Sequence, residues 1–197
     1  MAKRGRRRQD HLARRARSEG FHARSIYKLE EIDRKYRLFS GDSLSVLDLG
    51  AAPGSWTQYA VQRGADVTAI DLVELDVEGA RCLQGDFTEP EVVELLAKLG
   101  PYDLVMSDAA PATSGNRLVD TGRSEALVES ILWNLDRWLA PSGACVAKLF
   151  QGGGEQALLR SFQDQFARAA LFRPASVRKE SFETYLVGLE RKEAALP

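Results

Sequence analysis

The feature that most constrains the fold is a regular alternation of short apolar segments with amphipathic ones. Apolar runs typical of buried strands occur in "SLSVLDLG", "ADVTAIDL", "ARCLQGDF", "YDLVMSDAAP" and "ACVAKLF". Segments with helical spacing separate most of them, and the longest covers "GRSEALVESILWNLDRWLAPSG". Strands that alternate with helices predict an α/β domain with a mostly parallel sheet and helices on both faces.

The C-terminal part departs from this alternation. A helix is predicted across "EQALLRSFQDQFARAA", and two strand-like segments, "LFRPASVR" and "SFETYLVGLE", follow with little between them. We therefore expect the last two strands to pair antiparallel. On the long helix, Trp133 and Trp138 are both expected to belong to the core.

Charge is unevenly distributed along the 197 residues. Residues 1–24 carry nine Lys or Arg against two acidic residues, a net +7, so the rest must carry −8 to give the overall −1. We predict a basic, flexible arm over 1–20, one domain over 21–192 and a short tail over 193–197. The arm favours nucleic acid as a partner, although a solubilising tail or a segment that binds an acidic membrane would show the same pattern.

Scarce histidine and cysteine exclude several kinds of catalytic site. Both histidines, His11 and His22, lie in or beside the arm, so the body holds neither a Ser-His-Asp triad nor a His-ligated metal. Cys82 and Cys145 lie in separate predicted strands, as in proteins of a reducing compartment. No apolar run approaches the roughly 20 residues that span a bilayer. We expect a cytoplasmic protein without a metal or a membrane partner.

The segment "VLDLGAAPGSW" joins a predicted strand to a helix through a turn of small residues. Gly50 and Gly54 allow a ligand to approach the backbone, but their spacing is not the dinucleotide G-x-G-x-x-G pattern. Three successive strands end at Asp71, Asp86 and Asp108. Carboxylates suit ribose hydroxyls and a cationic ligand and repel phosphate, which favours S-adenosylmethionine over NAD or ATP.

A lysine, Lys148, lies within the predicted strand "ACVAKLF". Lysine is rarely buried without a partner. Either its ammonium reaches water at the end of the strand, or charged neighbours surround it there.

Together these motifs resemble the FtsJ/RrmJ family, the bacterial 23S rRNA uridine 2′-O-methyltransferases. The resemblance rests on "DLGAAPGSW", "DL" at 71–72, "LQGDF", "SDAAP…SG", "KLFQG" and R-x-x-S-x-E-x-Y at 178–185, and it covers residues 18–190. It implies a Rossmann-like class I S-adenosylmethionine-dependent methyltransferase fold with a mostly parallel seven-stranded sheet. It also implies methyl transfer to a uridine ribose 2′-hydroxyl of 23S rRNA in the large ribosomal subunit. Separately, because no heptad seam or exposed apolar stripe is obvious in the sequence, we expect a monomer.

The resemblance also implies the site residues. The family's catalytic tetrad falls on Lys28, Asp108, Lys148 and Glu183, with Lys148 as the base or as the group that positions the hydroxyl. The cofactor positions fall on Gly54, Trp56, Asp71, Asp86 and Asp108, to which the glycine turn adds Gly50. From its residue type alone, Trp56 fits the pocket or the core. Arg178 and Lys179, close to Glu183, are candidate phosphate contacts.

Two positions depart from the family pattern. Ala112 stands where many members have Asn, and Gly54-Ser55 replaces a Gly-Gly pair. Neither change touches the tetrad. Two other interpretations stay open: the same chemistry on another RNA such as tRNA, and a non-catalytic RNA-binding factor for ribosome assembly. An NAD-dependent oxidoreductase is disfavoured by the glycine spacing.

Overall fold

Strands and helices alternate through residues 11–193, the part of the chain that the computed structural model describes. The strands are β1 (Ser45–Leu49), β2 (Asp66–Asp71), β3 (Ala80–Gln84), β4 (Tyr102–Ser107), β5 (Leu139–Phe150), β6 (Phe166–Phe172) and β7 (Glu183–Arg191). The helices are α1 (11–18), α2 (Ile26–Tyr36), α3 (Ser55–Gln62), α4 (Pro90–Leu99), α5 (Arg117–Trp138) and α6 (Glu155–Gln165). None of the helices in this described part is long and apolar enough to cross a membrane.

The seven strands form one sheet in the order β3-β2-β1-β4-β5-β7-β6. The first five pair parallel, whereas β7 runs antiparallel to both β5 and β6. This confirms the predicted mostly parallel sheet and the antiparallel last pair. The strand order reverses between β1 and β4, and open α/β sheets bind ligands at the carboxyl ends of strands at such a point.

Alternate residues of the central strands pack into two separate apolar clusters, because successive side chains point to opposite faces. Leu47 and Leu49 of β1 belong to a cluster that includes side chains of α4, α5 and α6. Val46 belongs to a second cluster with side chains of α1, α2 and α3. The sheet is therefore covered on both faces, as predicted.

The segment before α2 is attached to the domain. Ala16 of α1 is fully buried in the cluster that holds α2 and α3. The Tyr27 hydroxyl donates a hydrogen bond to Glu19 at 2.8 Å, and Glu19 pairs with Arg15 at 2.7 Å. The buried Ala16 and the hydrogen-bonded Glu19 thus hold α1 and the turn after it against α2.

The second half of the predicted arm over 1–20 contains α1, which these contacts attach to the domain. Residues 1–10 of the arm, and residues 194–197 of the predicted tail, lie outside the described residues. The division into an arm, a domain over 21–192 and a tail stays a prediction.

The helix predicted over 155–170 is too long, because α6 stops where β6 begins. Phe166 is 1% exposed and stacks on Phe162 with ring centroids 5.5 Å apart, while β6 pairs with β7. Cross-strand packing here outweighs the helix propensity of the alanines in "FARAALF". The strand predicted over 171–178 is wrong beyond its first two residues, which end β6.

The long helix, predicted over 122–143, spans Arg117–Trp138 instead. Asn116 caps its N-terminus, since the side-chain oxygen accepts hydrogen bonds from the N–H groups of Leu118 at 3.1 Å and Val119 at 3.4 Å. The residues that follow its last turn belong to β5, which is longer than the predicted strand.

The two tryptophans of α5 occupy opposite environments. Trp138 is fully buried and its indole N–H donates to the Val93 carbonyl at 3.2 Å. Trp133 is 84% exposed. The expectation of a core position is confirmed for Trp138 and wrong for Trp133, which lies on the solvent face of the helix.

This contrast gives a matched stability test. Trp138→Ala leaves a cavity in the core and should lower the free energy of unfolding by about 3–5 kcal/mol. Trp133→Ala, the same substitution on the same helix, should change it by no more than about 0.5 kcal/mol. Urea unfolding measures both, and equal losses would contradict the burial described here.

Candidate active site

A turn of small residues connects β1 to α3 at the carboxyl edge of the sheet. Gly50 has φ 70° and Gly54 has φ 101°, conformations that favour glycine. A Cβ on Gly50 would lie 2.5 Å from the Cβ of Ala109, so the turn packs tightly against the segment after β4. Asp71 accepts a hydrogen bond from the Ala52 N–H at 2.9 Å. The two predicted glycines and Asp71 therefore meet at one place.

Asp86 lies at the same edge after β3, and one of its oxygens caps a local turn. That oxygen accepts hydrogen bonds from the N–H of Thr88 at 2.9 Å and from its hydroxyl at 2.7 Å. Beside Asp71, the side chains of Leu72 and Val73 are 66% and 56% exposed. In the sequence analysis Leu72 appears only within the "DL" motif and Val73 was not singled out, although an apolar pair directly after a strand-ending aspartate is a usable signal. Apolar surface beside carboxylates suits the base and ribose of a nucleoside.

Trp56, in the first turn of α3, is buried. Its side chain is 2% exposed, its indole N–H donates to the Ser25 carbonyl at 3.0 Å, and its ring centroid lies 5.8 Å from that of Tyr185. Its side chain packs in the core, and the assignment of Trp56 to the cofactor stays a prediction. The residue connects α3 to the start of α2.

The four predicted tetrad residues come together after β4 and at the adjoining ends of β5 and β7. The Lys148 Nζ lies 3.2 Å and the Lys28 Nζ 3.5 Å from the same oxygen of Asp108. The Lys28 Nζ also lies 2.9 Å from a Glu183 oxygen. Lys148 further donates to the backbone carbonyl of Asp108. The unusual lysine of β5 is therefore surrounded by charged groups.

These side chains are largely removed from water, with exposures of 8% for Lys148, 10% for Lys28, 13% for Glu183 and 18% for Asp108. Two positive and two negative charges balance, which is the condition under which buried charges are tolerated. They line a cleft of about 590 Å³ together with Pro53 of the glycine turn. A bound substrate would meet charged heads held in fixed positions.

Tyr185 is a further member of this cluster that the sequence analysis missed. It is fully buried and its hydroxyl donates to Asp108 at 2.7 Å. Burial and the negative charges of Asp108 and Glu183 raise the pKa of this hydroxyl well above its ordinary value, so it remains a donor. The signal was its two-residue spacing from Glu183 on one strand, which places both side chains on one face.

Asp108 is the common acceptor of the cluster. Burial by itself would raise the pKa of its carboxyl group, but the charges of Lys148 and Lys28 and the hydrogen bond from Tyr185 lower that pKa below the ordinary value. The carboxyl group is therefore ionised near neutral pH and holds both ammonium groups.

A second buried carboxyl group lies behind the glycine turn. Asp48 of β1 is 1% exposed, and the Thr57 hydroxyl donates to one of its oxygens at 2.6 Å. The other oxygen has no hydrogen-bond partner within the described residues. Burial, with smaller contributions from the charges of Asp108 and Asp71, raises the pKa of Asp48 to about 7.

The fold and this edge define a Rossmann-like S-adenosylmethionine-dependent methyltransferase. Human Methyltransferase-like protein 13, solved in complex with SAH, has the same fold with a TM-score of 0.59 at 16% identity, over 87% of this chain and 82% of that one. The cofactor supplies a methyl group on a positively charged sulfur. Asp71 and Asp86 suit its hydroxyl and cationic groups, and Leu72 suits its base. Among residues 11–193, no group of metal-binding side chains occurs.

More specific comparisons agree with this class. A family model described as FtsJ-like methyltransferase matches residues 21–191. The Ribosomal RNA large subunit methyltransferase E of Treponema denticola is 45% identical over 93% of this chain and 95% of its own length. That of Granulibacter bethesdensis is 47% identical, over 87% and 76%. A Plasmodium falciparum chain assigned as a ribosomal RNA methyltransferase gives a TM-score of 0.79 at 25% identity, over 88% of this chain and all of that one. The chain belongs to the FtsJ-like methyltransferase family.

Of the two departures from the family pattern, Ser55 makes a defined contact. It is 1% exposed, and its hydroxyl oxygen accepts a hydrogen bond from the Ala23 N–H at 2.7 Å. Ala112 is exposed in the loop between β4 and α5. The serine therefore joins the glycine turn to the segment that leads into α2.

The raised pKa of Asp48 predicts a pH-dependent stability. Its folded pKa of about 7 lies above the ordinary 3.8, so its contribution is complete below about pH 4 and is lost as pH rises through 7. The loss should be on the order of 4 kcal/mol. Asp48→Asn should remove this decline between pH 5 and 8 in urea unfolding, whereas Asp42→Asn, an equal charge change at an exposed site, should keep it. An unchanged slope in Asp48→Asn would exclude Asp48 as its source.

Proposed function

We propose that this methyltransferase transfers a methyl group from S-adenosylmethionine to the ribose 2′-hydroxyl of a uridine in 23S rRNA, within the large ribosomal subunit. The observation that carries the proposal is the buried cluster around Asp108, in which the Lys148 ammonium is held at the cleft. The names of the relatives, large-subunit ribosomal RNA methyltransferases, support the substrate.

The main catalytic requirement of this reaction is to activate the nucleophile, the ribose 2′-hydroxyl. A ribose 2′-hydroxyl is a very weak acid at neutral pH, so a nearby group must take its proton or fix its oxygen. Lys148 is the residue that contacts this hydroxyl, as base or as positioning group. Asp108 holds Lys148, Glu183 pairs with Lys28, and the four charges together keep the cluster neutral. An unaltered pH profile in Lys148→Arg would leave only the positioning role.

The cluster also favours an enzyme over a non-catalytic assembly factor. A protein that only binds RNA gains nothing from two buried lysines, since their desolvation costs several kcal/mol. Lys28 and Lys148 are both directed at one carboxylate in a cleft that stays open. We infer that the protein acts in the cytoplasm, the compartment in which large ribosomal subunits are assembled. We also infer that it acts as a monomer.

Transfer of labelled methyl groups tests the proposal. The acceptors are naked 23S rRNA, isolated large subunits and tRNA, and the labelled nucleotide is then mapped. Wild-type protein should label a uridine 2′-oxygen of large-subunit RNA. Lys148→Ala should reduce the rate at least about 100-fold, the usual size of an acid–base contribution. Binding of S-adenosylmethionine should persist.

Lys98→Ala is the matched control, because Lys98 is exposed on α4 and lies outside the cleft. Label on tRNA would keep the chemistry and overturn the substrate. RNA binding without label on any acceptor would favour the assembly factor. Equal rates for the two alanine variants would remove Lys148 from the reaction.

A further inference from the structure

Hydrogen bonds connect the glycine turn to the segment that leads into α2. The Ser55 hydroxyl oxygen accepts from the Ala23 N–H at 2.7 Å, and the Trp56 indole N–H donates to the Ser25 carbonyl at 3.0 Å. Ser55 lies between Gly54 and Trp56, two of the predicted cofactor positions. A cofactor held by this turn is therefore next to the contact with Ala23.

The side chain of Gln58, further along α3, makes another connection to the same segment. Its Oε1 accepts from the His22 N–H at 3.2 Å, and its Nε2 donates to the Gly20 carbonyl at 3.4 Å. The His22 ring also lies 2.5 Å from the Pro53 carbonyl oxygen of the turn, and its Nδ1–H is the donor because a carbonyl only accepts. The segment over 20–25 is thus held against both the turn and α3.

This segment also supplies the partners of the first amide groups of α2. The Arg24 carbonyl accepts from the Tyr27 N–H at 3.3 Å, and the Ser25 carbonyl accepts from the Lys28 N–H at 3.0 Å. The first amide groups of a helix have no partner further back in the helix, so they depend on the residues before it. A displacement of the segment would therefore displace the turn of α2 that carries Lys28.

The ammonium group of Lys28 is enclosed by its partners. Its Nζ lies 2.9 Å from a Glu183 oxygen, 3.5 Å from an Asp108 oxygen and 5.8 Å from the centre of the Tyr185 ring. The side chain is 10% exposed, so water does not replace a lost partner. A misplacement of about 1 Å at a catalytic group can cost about 100-fold in rate. The backbone position of Lys28 therefore matters to the whole tetrad.

We propose that Ser55 is a positioning residue that couples the cofactor turn to Lys28 of the tetrad. A bound cofactor favours the conformation of the turn that it fits, and the hydrogen bond to Ala23 transmits this preference to the start of α2. Lys28 is then placed correctly against Asp108 and Glu183 when the cofactor is bound. The proposal deepens the proposed function, and its effect on methyl transfer rests on that function.

The hydroxyl group of Ser55 is particular to this chain, since the family pattern has a glycine at this position. Glycine has no side-chain oxygen, so it provides no acceptor for the Ala23 N–H. The coupling through Ser55 is therefore an addition to the family pattern and not a part of it.

Amide hydrogen exchange with and without SAH tests the coupling independently of methyl transfer. In the wild type, SAH should slow the exchange of the amides of residues 26–29 about fivefold or more, the lower end of typical coupling between sites. Ser55→Ala should reduce this effect to less than about twofold, while SAH still protects the glycine turn. Gln58→Ala should also reduce the effect. Gln62→Ala, the matched control at an exposed position of the same helix, should keep it.

Two results of this experiment would overturn the coupling. One is the absence of any SAH effect on residues 26–29 in the wild type. The other is an effect of equal size in Ser55→Ala, because SAH would then reach α2 by another route. If Ser55→Ala does not fold, Gln58→Ala decides in the same way, since it removes the hydrogen bonds to Gly20 and His22.

The second test is a double-mutant cycle on the single-turnover rate of methyl transfer to the large-subunit acceptor, with S-adenosylmethionine saturating. Ser55→Ala should lower the rate about 3- to 10-fold, the size expected for the loss of one hydrogen bond. In a Lys28→Ala background, which lacks the group that Ser55 positions, Ser55→Ala should change the rate by less than about twofold. Ser161→Ala on α6, outside the cleft, should have no effect in either background.

Equal fold-losses for Ser55→Ala in the two backgrounds would show a merely structural role and would overturn the positioning role. Wild-type transfer with an unchanged rate in Ser55→Ala would also overturn it. Absence of wild-type transfer would overturn the proposed function instead, and the exchange experiment would still decide whether the turn and α2 are coupled.

Discussion

The site depends on one carboxylate oxygen. A single oxygen of Asp108 faces the ammonium groups of Lys148 and Lys28 and accepts the hydroxyl of Tyr185. Without this negative charge, two ammonium groups would be buried close together, at a cost of several kcal/mol for each ion. The other contacts of the cluster, including the ion pair of Lys28 with Glu183, surround this carboxylate.

The fold supplies this arrangement because it brings strand ends together. Asp108 follows β4, while Lys148 and Tyr185 are opposite each other in the antiparallel pair of β5 and β7. The same edge carries the glycine turn and Asp71 from β1 and β2. The residues proposed to bind the cofactor and those proposed to act in catalysis therefore share one edge, and the cleft lies there. The antiparallel β7 is essential here, since it places Glu183 and Tyr185 at the edge where parallel strands end.

Sequence patterns predicted the mostly parallel sheet and its antiparallel end, because alternating strand and helix periodicity requires them. The tetrad was implied only by the resemblance to the FtsJ/RrmJ family, since two of its members, Lys28 in α2 and Glu183 at the start of β7, do not end parallel strands. The patterns failed where tertiary contacts decide. "FARAALF" has helical composition, and only pairing with β7 makes it a strand. Trp133 and Trp138 are the same residue type on the same predicted helix, and only the orientation of α5 against the sheet exposes one and buries the other. Tyr185 was missed because a buried tyrosine in an apolar strand reads as core, and its hydrogen bond to Asp108 is visible only in three dimensions.

The measurement that tests this account most directly is the single-turnover rate of Asp108→Asn. The variant is first saturated with S-adenosylmethionine, so any weaker cofactor binding does not enter the rate, and is then mixed with the large-subunit acceptor. The amide keeps the shape of the side chain but removes the charge that holds Lys148 and Lys28. We expect the rate to fall at least about 100-fold. A rate near that of the wild type would show that the charge of Asp108 does not organise the site.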